Sequence, residues 1–126
     1  MSEILVDHPD RVFQLWAYTV GMGRMLLRST KGEALATRVD VLFQNVKAVK
    51  LPTLVEGLVV TAGGAAAARE ISDATGLLPD EETKFFTIES SSGRGYVVAG
   101  VVAVSEDEGE YFEPSKLWPV LEGGPR

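Results

Sequence analysis

Val12-Phe13-Gln14-Leu15-Trp16-Ala17-Tyr18-Thr19-Val20-Gly21-Met22-Gly23-Arg24-Met25-Leu26-Leu27-Arg28 reads as two strands joined by a tight turn. Val12 to Val20 is rich in β-branched and aromatic residues, which suit a pleated surface. A period of two puts Phe13, Leu15 and Ala17 on one face and Gln14, Trp16 and Tyr18 on the other. Both faces are largely apolar, so cover is expected on both sides. Gly21 and Gly23 flank Met22 and permit the positive φ that a tight hairpin connection needs. Arg24 to Arg28 is then the returning strand.

Outward from this hairpin, residues 1–10 read as a lead-in and residues 29–37 as a polar loop. Thr37 to Gln44 alternates, with Val39, Val41 and Phe43 on one face and Arg38, Asp40, Leu42 and Gln44 on the other. That pattern describes a half-buried strand. Val46, Val49 and Leu51 extend the apolar signal until Pro52, which lacks a backbone donor. Gly57 to Thr61 is a short fourth strand.

The period then changes. Gly63-Gly64 opens an alanine-rich run and Gly76 closes it, which predicts a helix over about 64–75. Lys84 to Glu89 is a fifth strand, and Ser90 to Gly95 a loop. Tyr96 to Ser105 is continuously apolar and reads as one central strand. Glu106-Asp107-Glu108-Gly109 is a turn, and Glu110 to Phe112 a brief last strand. Pro114 to Trp118 starts a short helix or anchors the C-terminal tail. The sum is an α+β domain spanning 1–126: a mainly antiparallel sheet of six to seven strands with one helix. The pattern leaves open whether the sheet curls into a half barrel. Strand–helix alternation is missing, which argues against a parallel doubly wound sheet.

Composition narrows the function. The chain has 126 residues, no cysteine and a formal net charge of −6. Without cysteine there is neither disulfide nor thiolate chemistry, which fits a cytoplasmic protein. The N-terminal segment carries no basic, apolar leader pattern, so a secretory signal is not expected. Residues 1–60 hold seven basic and six acidic side chains, and residues 61–126 five and twelve. That acidic second half disfavours nucleic acid and anionic membranes as partners and favours a basic protein surface.

Candidate sites are few. His8 is the single histidine, flanked by Asp7 and Asp10, and one imidazole with two local carboxylates is a poor metal set. No metal and no cofactor is expected. Gly63-Gly64 lacks the rest of a phosphate-binding loop. Ser90 to Gly95 lacks a neighbouring base for a nucleophilic serine. The acidic run Glu106, Asp107, Glu108 and Glu110 misses the spacing of a calcium loop. It reads as a solvated turn or as a contact for a basic partner. Trp16, Tyr18, Phe86 and Tyr96 are the aromatic candidates for a binding cavity or a partner patch.

Phe13 to Tyr18, Gly23 to Ser29, Val39 to Phe43 and Leu51-Pro52 together resemble a group of small bacterial proteins of unassigned activity. The resemblance implies no activity and no site residue. The leading expectation is a non-enzymatic protein-interaction domain of an immunity or accessory type, acting on another protein or on a second copy as a homodimer. A curled-sheet binder of small molecules and a hydrolase with scattered carboxylates are the alternatives.

Overall fold

The computed structural model describes residues 2–32, 35–110 and 113–117. Eight strands and one helix follow in the order β1 (Ser2–Thr19), β2 (Arg24–Ser29), β3 (Arg38–Gln44), β4 (Ala48–Lys50), β5 (Leu54–Gly63), α1 (Ala65–Thr75), β6 (Lys84–Ser90), β7 (Gly93–Ala99) and β8 (Val101–Asp107). All form one antiparallel sheet in the order β4-β7-β6-β5-β1-β2-β3-β8. The α+β reading with a dominant antiparallel sheet holds.

The sheet curls. The backbone N–H of Lys47 donates to the Val98 carbonyl (2.7 Å), and that of Gly100 donates to the Gln44 carbonyl (2.9 Å). The pairs β3–β8 and β4–β7 are therefore two halves of one bent ribbon. Phe43 of β3 meets Phe86 of β6 across the interior, ring centroids 5.7 Å apart. The end strands β4 and β8 do not pair with each other, and no barrel closes.

Four strand readings are corrected. The first strand begins at Ser2, because residues 2–8 pair with the far end of β5. The fourth strand runs from Leu54 to Gly63 rather than from Gly57 to Thr61. The loop after β6 shrinks to a two-residue turn, with Gly93 to Gly95 already in β7. The long apolar run beyond Tyr96 is broken at Gly100, and its second half, β8, is an edge strand and not a central one. Continuous apolarity does not by itself make a strand central or buried: no residue of β8 is buried, and Val101 and Val104 are 48% and 42% exposed. The brief strand expected at Glu110 to Phe112 reaches residues outside the described ones.

The hairpin β1–β2 stands as read, with Thr19 opposite Arg24. One of its two glycines uses positive φ: Gly23, at 57°. The face assignment fails past Leu15. A bulge between Leu15 and Ala17 moves Ala17 opposite Leu26, onto the outer face. The helix also stands, capped at its end by Gly76 in the left-handed conformation.

The main core fills the inside of the curl with Val6, Phe13, Met25, Leu27, Val39, Val41, Phe43 and their neighbours from β5, β6 and β7. Two smaller clusters lie outside it. Ile71 of α1 packs on Phe85 and Val98. Leu26 and Leu42 pack against Trp16, Ala17 and Leu117. Among the described residues no helix is long and apolar enough to cross a membrane.

Candidate functional site

The outer face of β1, β2 and β3 carries an unusual density of buried charge. Arg28 and Asp40 are directly opposed on neighbouring strands and each is 1% exposed. Their side chains bond twice, at 2.8 Å from Nε and 3.2 Å from Nη2. The Arg28 guanidinium also lies over the Trp16 ring, 4.9 Å from its centroid. Arg38 stands 3.9 Å from the other side of Asp40. Its fork donates to both oxygens of Asp107. It also donates to the carbonyls of Glu110, Glu113 and Pro114.

Arg38 thus ties Glu110, Glu113 and Pro114 onto the sheet, and Leu117 packs against Leu26 and Leu42. This explains why β3, expected to be half-buried, is buried at six of its seven positions. Burial works against the charged form of Arg38, but the bond to Asp107 and the charges of Asp40, Asp107 and Glu113 hold its pKa above the ordinary value. Burial likewise opposes the Asp107 carboxylate. The bonds from Arg38 and the Gly109 N–H outweigh it and hold its pKa below the ordinary value.

The acidic run is consumed in the same way. Glu106 accepts from the Thr37 hydroxyl at 2.6 Å, and Glu110 pairs with Lys31 at 2.6 Å. The Glu108 backbone carbonyl accepts from Lys31. Of Glu106, Asp107, Glu108 and Glu110, three therefore have their side chains engaged within the fold. Among the described residues no group of three or more His, Asp or Glu side chains is placed to hold a metal ion. His8 lies in β1 and not in a loop, its ring 6.2 Å from that of Phe13.

The four aromatic candidates do not line one cavity. Phe86 fills the interior, at 2% exposed. Trp16 stacks with Arg28 on the outer face, Tyr96 packs under α1, and Tyr18 stands 48% exposed on the hairpin. Alternation on separate strands sends them to different sides, and the bulge at Leu15/Ala17 separates Trp16 from Tyr18 further.

Around Tyr18 the structure does assemble a surface. At the tip of the β1–β2 hairpin Val20 is 86% and Met22 57% exposed. The tip is held, not loose: the Val46 N–H donates to the Gly23 carbonyl at 2.9 Å. A Cβ at position 23 would press on the Val46 backbone, so the glycine is fixed by space as well as by φ. Beside it, the Thr19 hydroxyl is buried with no partner among the described residues. Neither Val20 nor Met22 is a candidate in the sequence, because Val20 reads as the end of the first strand and Met22 as a turn residue. The available signal was their chemistry, since turns of this kind favour Gly, Asn, Asp and Ser.

Comparison with protein-family models, with curated proteins and with solved structures gives no match.

Proposed function

We propose that this chain is a non-catalytic protein-interaction domain that presents the tip of its β1–β2 hairpin to an apolar pocket on a partner. The observation that carries this reading is the exposure of three large apolar side chains, Tyr18, Val20 and Met22, within five residues of one projecting turn. Single exposed apolar residues are ordinary, but a cluster on a held tip is a contact surface. Tyrosine is favoured at binding hot spots, and methionine adapts to an uneven pocket. The ladder fixes the tip in advance, which lowers the ordering cost of association.

A cytoplasmic partner suits a chain without cysteine. A second copy is one such partner, giving a two-fold dimer through paired tips. A basic partner for the acidic run has weaker support, because Glu106, Asp107 and Glu110 already hold Thr37, Arg38 and Lys31.

The test is the double variant Val20→Ser/Met22→Ser. Sedimentation of the wild type, alone and in an extract of its own cells, should show an assembly heavier than the single chain. The double variant should sediment as the single chain with an unchanged melting temperature. An assembly that survives the double substitution, or a wild type that stays a single chain in both settings, overturns the reading.

A further inference from the structure

The opposite outer face of the sheet, under α1, holds polar groups that the fold leaves unanswered. Thr87 of β6 is paired with Tyr96 of β7, and Tyr96 with Lys50 of β4. The three therefore form one row across adjacent strands on one face. Their neighbours Phe86 and Val97 point inward, which places this row outside. Arg94, two residues from Tyr96, stands on the same face and pairs with Glu89 at 3.2 Å.

Between this row and α1 lies a groove of about 440 Å³, roofed by Ala67, Glu70, Ile71 and Ala74. Its volume falls in the usual range for small-molecule pockets. Beside the groove β7 and β4 approach closely: a Cβ at Gly95 would collide with the Lys50 carbonyl. Thr87 lines the groove, and its hydroxyl makes no hydrogen bond to the described residues. A hydroxyl can donate and accept, and one that lines a groove is available to a ligand. Lys50 and Glu70 likewise make no ion pair with the described residues.

The charge pattern selects the ligand. Lys50 and Arg94 lie on the strand side, Glu70 on the helix side, and Glu89 beside Arg94. A phosphate would meet two carboxylates, and a plain amine two cations. A zwitterion answers both walls. We infer that the groove binds a free α-amino acid with an apolar side chain. Its carboxylate would face Lys50 and the Thr87 hydroxyl, its ammonium Glu70, and its side chain the Tyr96 ring, Ile71 and Ala74. This site is separate from the hairpin tip and stands without it.

The experiment is a chemical-shift titration of the isotope-labelled full chain with leucine, valine, methionine and phenylalanine, each to about 10 mM, a range that detects millimolar affinity. Two probes accompany phenylalanine: 3-phenylpropanoate, which lacks the ammonium, and phenethylamine, which lacks the carboxylate. At least one amino acid should move the amides of residues 67–74, 87 and 94–96. Both probes should bind at least ~10-fold more weakly than phenylalanine, a loss of about 1.4 kcal/mol. Lys50→Gln and Glu70→Gln are surface changes that leave the fold intact. Each should weaken amino-acid binding, and Glu70→Gln should leave 3-phenylpropanoate binding as strong or stronger. No shift with any of the four amino acids overturns the proposal, as does equal binding of 3-phenylpropanoate and phenylalanine. Shifts confined to other residues overturn it too.

Discussion

The two ends of the β1–β2 hairpin carry similar side chains and meet opposite fates. At its base and middle, Trp16, Ala17 and Leu117 pack against the buried Leu26 and Leu42, bordered by the Arg28–Asp40 pair. At its tip, Tyr18, Val20 and Met22 stay in solvent. The chain spends residues 113–117, fastened with Glu110 by Arg38, on the first patch and, among the described residues, nothing comparable on the second. Apolarity alone therefore does not mark a contact surface. What marks it is apolarity that the fold has no segment to cover.

The comparison breaks most visibly at Asp40. Asp40→Asn leaves Arg28 and Arg38 buried beside a neutral group. Removing one partner of a buried ion pair costs about 3–5 kcal/mol. Denaturant unfolding should show a loss of that size, whereas a loss below about 1 kcal/mol would mean that water reaches the pair. Leu117→Ala should cost less, about 1–2 kcal/mol, because Leu117 is only half-buried and its site can relax. It should also raise amide exchange in β2 and β3, since the cover over Leu26 and Leu42 thins.

Acid should act on the covered end alone. The Asp107 pKa is lowered in the fold. Its contribution is therefore complete above the unfolded carboxylate value near ~4 and disappears as pH falls through the lower folded value. Glu110 and residues 113–117 should loosen below about pH 4 while the hairpin tip stays as it was. Amide exchange read residue by residue down the acid range checks this, and simultaneous loosening of both ends would contradict it. The smallest effect on stability belongs to the tip: Val20→Ser or Met22→Ser should change it by no more than about 0.5 kcal/mol.

Much of the fold was legible in the sequence, for local reasons. The hairpin, β3, α1 with its Gly76 cap and β6 each announced themselves through period and punctuation. The strand beginning at Ser2 and the break at Gly100 did not, because both depend on distant pairing: residues 2–8 on β5, and Gly100 on Gln44. The site was less legible. Tyr18 and Tyr96 were singled out, but Thr87 and Lys50 join Tyr96 only through strand register, and the exposure of Val20 and Met22 shows only in the fold. The acidic run looked free because Arg38 and Lys31, its partners, lie some seventy to eighty residues earlier in the chain.

A photo-reactive diazirine side chain placed at position 22, or alternatively at position 26, tests the contrast most directly. At position 22 it should join this chain to a second protein chain on illumination. At position 26 it should give only a link within the chain, to residues 113–117. An intermolecular product from position 26, or none from position 22, would contradict the view that one end of the hairpin is sealed by the chain itself and the other is kept for a partner.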